Sequence, residues 1–117
     1  SQRAATALLE HSDRVLPAAR QEVGLRFEAL RAAWRTHLGT ELRPPAGAFY
    51  HWMPLPPSAL ADPMAFCLRL RDEARVVLVP GLAFGEGGHA HARLSFAARP
   101  EQITEGVMRL APFWSPA

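Results

Sequence analysis

Val76-Val77-Leu78-Val79-Pro80-Gly81 and, further along, Ala92-Arg93-Leu94-Ser95-Phe96-Ala97 decide how this chain folds. The first is a mostly β-branched apolar run halted by Pro-Gly, which reads as a buried strand over residues 76–79 ending in a turn. The second lies in a strand over residues 90–97, with Leu94 and Phe96 on one face and Arg93 and Ser95 on the other. Between them Gly85-Glu86-Gly87-Gly88 reads as a mobile loop. Its glycines lack the dinucleotide-binding spacing and open no helix.

Working outward, residues 47–53 form a third strand, ended by Pro54, Pro56 and Pro57. Alternation places Ala48, Tyr50 and Trp52 on one side and Phe49, His51 and Met53 on the other. Asp62-Pro63 is an N-cap with proline at the first helical position, so a helix follows to about residue 74. A short Ala/Leu-rich helix occupies residues 1–10, and Ser12-Asp13 caps a longer one in which Pro17 sits near the first turn or kinks the axis. Val23, Phe27, Leu30, Trp34 and Leu38 give that helix one apolar stripe, and Gly39 stops it. Arg99-Pro100-Glu101 opens the last helix, whose Ile103, Val107, Leu110 and Trp114 share a face.

The order helix, helix, strand, helix, strand, strand, helix implies an α+β two-layer domain. It has a short, mostly antiparallel three-stranded sheet packed against helices and is preceded by a long N-terminal helix. The first helices carry their stripe before any strand exists for them to cover, which implies packing against something outside this chain.

A chain of 117 residues, 49% hydrophobic and 21% charged, is one globular domain. All 13 basic residues are Arg. Coding bias toward Ala, Arg, Pro and Leu accounts for this. Its consequence is that the chain has no lysine of its own for a Schiff base, a P-loop or a Ser–Lys dyad. A net charge of +2 without a block of like charges argues against nucleic acid. The longest apolar run, residues 76–84, is too short to cross a membrane. One cysteine forms no internal disulfide and suits a cytoplasmic setting. Ser1-Gln2-Arg3 resembles neither a signal peptide nor an initiation site, as in a processed or truncated chain.

Arg93 is the residue with the clearest chemistry. A guanidinium on a strand beside a glycine-rich loop presents a rigid fork to a carboxylate, or else serves a surface ion pair. His89 and His91 would share a strand face, but no third metal ligand stands at a recognisable spacing, and strand-entrance loop chemistry is the better reading. Cys67, beside Phe66 and Leu70, reads as a core thiol without a general base. Trp34, Trp52 and Trp114 fall on packing faces rather than forming a base-stacking platform.

Three motifs in register, Pro45-Ala46-Gly47-Ala48-Phe49-Tyr50, the residue 76–85 segment and Ala92-Arg93-Leu94-Ser95-Phe96-Ala97, resemble the C-terminal part of class I/II aminotransferases, pyridoxal-phosphate enzymes of fold type I. Pro100-Glu101-Gln102-Ile103 is similar to that family's closing helix, and Ser1-Gln2-Arg3-Ala4-Ala5 to the helix after its large domain. The resemblance implies that residues 1–38 connect from a large domain and residues 39–117 form the small domain. It implies amino acid and 2-oxo acid substrates, a homodimeric parent enzyme, and Arg93 as the ligand of the substrate α-carboxylate. The residue 81–88 loop would accompany domain closure. The cofactor lysine and phosphate-binding residues would lie in the large domain, leaving the isolated chain inactive. Two other classes share this domain: the effector half of an aminotransferase-like transcriptional regulator, and a related pyridoxal-phosphate lyase or synthase. A stand-alone binding module is the remaining reading.

Overall fold

The computed structural model describes residues 1–114. Helices α1 (Gln2–Glu10) and α2 (Ser12–Leu38) run almost end to end, interrupted at His11, whose amide and Nδ1 both meet the Ala7 carbonyl. Pro17 lies inside α2, beyond the first turn that its missing N–H would suit. Gly39, at φ 70°, closes α2 in the left-handed conformation that glycine adopts at least cost. The expected stripe is real from Phe27 onward: Phe27, Leu30 and Trp34 are buried, and Val23 and Leu38 flank them half-buried.

Strand β1 (Tyr50–Pro54) leads through a 3₁₀ turn to α3 (Pro63–Arg69). The Asp62 side chain accepts the Ala65 amide at 2.9 Å and Pro63 fills the first helical position, as the sequence foretold. The helix then widens into a π-turn, Leu70–Ala74, closed by Arg75 at φ 58° and by the Val76 amide on the Leu70 carbonyl. Strand β2 is only Val79–Pro80, shorter than the residue 76–79 run suggested. The run lies at the sheet edge, with Leu78 buried but Val77 72% exposed.

Strand β3 (His91–Ser95) is central, antiparallel to β1 and to β2, in the order β1-β3-β2. Pro54 and Pro80 are confined to the two edge strands, where a missing donor breaks no inner ladder. Helix α4 (Pro100–Trp114) packs beside α2. One face of the sheet, carrying Met53, Ala92, Leu94 and Phe96, is covered by α2, α3 and α4 in a single core. This is the α+β two-layer domain expected from the element order.

Residues 81–88, of which 85–88 read from sequence as a mobile loop, fold into two 3₁₀ turns, Gly81–Phe84 and Glu86–Gly88. Their backbones meet at two buried glycines. A Cβ on Gly81 would collide with the Gly88 carbonyl and lie 2.8 Å from the His91 carbonyl oxygen, and a Cβ on Gly88 would collide with the Gly81 carbonyl. Because the obstacle is backbone, it cannot swing aside. Gly88→Ala should therefore destabilise the domain by about 1–3 kcal/mol. Gly87→Ala, where a Cβ meets nothing within 4 Å, should show no such steric cost. Denaturant midpoints of the two variants measure the difference.

Candidate functional site

The sheet face opposite the helices carries the chemistry. Period-two alternation brings Tyr50 and Trp52 of β1 and His91, Arg93 and Ser95 of β3 onto it, with Trp52 directly opposite Arg93 and Tyr50 opposite Ser95. The sequence placed Arg93 and Ser95 on this side and gave Tyr50 and Trp52 a shared face; strand pairing makes them one surface.

Three arginines among the described residues are half-buried: Arg26, Arg31 and Arg93. Arg26 pairs with Glu22, and Arg31 with Glu28 and Glu41. Glu41 also bonds Arg35, whose guanidinium holds that carboxyl below the usual carboxylate range. Arg93 has no carboxylate partner among the described residues. Instead its guanidinium carbon lies 4.2 Å from the Tyr50 ring centroid and 4.8 Å from that of Phe84. A ring face attracts the cation but accepts no in-plane hydrogen bond, so a ring contact of this kind does not take the place of a carboxylate partner.

The aromatic row continues. Trp52 meets Phe84 edge-on at 5.7 Å and stacks on His91 at 5.5 Å and 14°. Trp52 is 43% exposed, which corrects its assignment to a packing face: it stands on the bare side of the sheet. Trp34 and Trp114 do pack, with ring centroids 5.6 Å apart, and Trp34 donates to Thr40 Oγ1.

His89 and His91 do not share a face. The turn of Glu86–Gly88 carries His89 outside β3, where its Nε2 lies 2.9 Å from the Leu60 carbonyl oxygen and donates to it. Among the described residues no group of three His, Cys, Asp or Glu is placed to hold a metal ion. Cys67 is buried, and burial pushes its thiol up, away from the reactive thiolate. Burial also lowers the His51 imidazole below its ordinary range, on the core side of β1. Tyr50 and Phe84 were not assigned as Arg93's neighbours from sequence. Alternation does put Tyr50 on one side of β1, but pairing Trp52 with Arg93 needs the register, and Phe84 arrives from a turn with no periodicity.

The family model for aminotransferase class I and II matches residues 1–110. The chain belongs to this family. Among relatives, it is 35% identical over 86 residues to LL-diaminopimelate aminotransferase of Dehalococcoides mccartyi, covering 74% of this chain and 20% of that protein. It is 40% identical over 76 residues to an aspartate aminotransferase of Thermotoga maritima, covering 65% and 19%. Among solved structures, apo-BacF of Bacillus subtilis superposes with a TM-score of 0.75 at 27% identity, covering 86% of this chain and 25% of that one. The chain thus spans about a fifth of the length of these curated relatives and a quarter of that structure. No helix among its described residues is long and apolar enough to cross a membrane.

Proposed function

We propose that this chain is the small, C-terminal domain of a cytoplasmic, homodimeric, pyridoxal-phosphate-dependent aminotransferase that moves an amino group between an amino acid and a 2-oxo acid. In this reading Arg93 binds the α-carboxylate common to both substrates. The observation that carries it is a half-buried guanidinium on a bare sheet face, held by aromatic rings and paired with no carboxylate among the described residues. A bidentate contact there binds the carboxylate and orients the amino-bearing carbon, which lowers the entropic cost of reaching a reactive geometry.

Residues 1–38 connect to a large domain and residues 39–117 form the small one. Exposure of Leu8, Leu9, Val15, Leu16 and Leu25 on α1 and the front of α2 supports a covering surface outside this chain. The cofactor belongs to that outside part as well. With no Lys, this chain does not fit a site that anchors pyridoxal phosphate as a Schiff base, so alone it is inactive.

The test uses the polypeptide that carries this segment together with its cofactor domain. Amino transfer that requires both an amino acid and a 2-oxo acid supports the reading. Release of ammonia or a 2-oxo acid from the amino acid alone would make it a lyase. Effector binding and DNA binding without turnover would make it a regulator.

A further inference from the structure

The rings beside Arg93 are more than its surroundings. A half-buried cation ordinarily finds an acid, as Arg26 and Arg31 do here. An acid beside Arg93 would both fix the fork and compete with an incoming carboxylate. Tyr50 and Phe84 fix it without competing, because a π face draws the charge and leaves the edge N–H groups free.

Each ring has its own support. Tyr50 stands on β1 with Phe49 4.4 Å away, in line with the ladder bond from the Phe96 amide to the Phe49 carbonyl. Phe84 ends the turn that begins at Gly81, is braced edge-on by Trp52, and is 53% exposed. That exposure matters: a ring so open contributes little to the core, and its ring contacts are with the Arg93 guanidinium and the Trp52 ring. The Gly81–Gly88 contact in turn fixes where this turn lies.

We infer that Tyr50 and Phe84 are positioning residues for carboxylate recognition, holding the Arg93 guanidinium through their ring faces so that its donors stay free for substrate. This rests on the assignment of Arg93 to the α-carboxylate. The rings act through the arginine, so removing either weakens carboxylate-bearing ligands only while Arg93 is present.

The experiment uses the holoenzyme and L-alanine as probe, reading the apparent Kd and the limiting rate of the single-turnover half-reaction. Tyr50→Leu and Phe84→Leu should each raise the apparent Kd by about 3–30-fold, the range for a lost cation–π contact, with a smaller change in the limiting rate. Tyr50→Phe should restore tight binding. Progressive fluorination of Phe84, which keeps its shape and drains charge from its face, should raise Kd stepwise; this measurement stands even where a leucine variant folds poorly. In an Arg93→Ala background the same ring changes should have no further effect. Unchanged Kd across the fluorinated series, or ring effects that persist without Arg93, would overturn the inference. An Arg93→Ala enzyme that binds L-alanine normally would instead remove the assignment on which it rests, and the single variant tells the two failures apart.

Discussion

Arg93→Ala in the full-length enzyme is expected to lower kcat/KM for amino acid substrates by about 10²–10³-fold, the equivalent of about 3–4 kcal/mol. The size follows from what is lost. A bidentate guanidinium–carboxylate contact is charge-assisted, and on the half-buried face of β3 it works in a setting less screened than open water. Truncation also leaves the substrate carboxylate without its partner, which adds a desolvation cost. Arg93→Lys keeps the charge but loses the planar fork and its fit to the rings of Tyr50 and Phe84, so it should recover only part of the activity. Steady-state kinetics on the purified variants decide the matter. A change of less than about threefold in kcat/KM would take Arg93 out of the site.

Phe96→Ala should cost about 3–5 kcal/mol of stability, a large share of what holds a domain of this size together. Phe96 is fully buried and its ring lies 5.5 Å from that of Phe27, joining the sheet to α2. Its backbone continues the β1–β3 ladder through the Phe96 amide and the Phe49 carbonyl, a bond that alanine retains. The loss is therefore packing alone: a ring-sized cavity between two layers with little freedom to collapse. Val77→Ala, at a side chain 72% exposed, is the matched control and should change stability by less than about 1 kcal/mol. Chemical denaturation of both variants measures the contrast, and comparable costs at the two positions would contradict the assignment of the core.

Much of this architecture was legible in the residues themselves. Gly39, Asp62 and Pro63 act through local backbone chemistry, so their roles as stop, cap and first helical residue need no tertiary information. The stripe of Phe27, Leu30 and Trp34 and the inward face of Leu94 and Phe96 follow from periodicity alone. What escaped depended on contacts distant in sequence. The residue 76–79 run looked like a buried strand because its composition does not reveal that it lies at a sheet edge. The glycines of residues 85–88 suggested mobility, whereas Gly88 is glycine because its backbone touches that of Gly81. Arg93 was visible as a strand arginine, but what distinguishes it from Arg26 and Arg31 is the absence of an acid beside it among the described residues and the presence of Tyr50 and Phe84. Both belong to the pairing register and to a turn, and neither is local.

The most direct test of the central claim compares an amino acid substrate with the amine made by deleting its α-carboxylate, in the wild-type enzyme and in Arg93→Ala. If Arg93 binds that carboxylate, the variant loses about 10²–10³-fold in kcat/KM with the amino acid and almost nothing with the amine, because the amine never had the group that Arg93 engages. An equal loss with both substrates would mean that Arg93 supports the fold or the reaction in some other way, and the carboxylate assignment would be wrong.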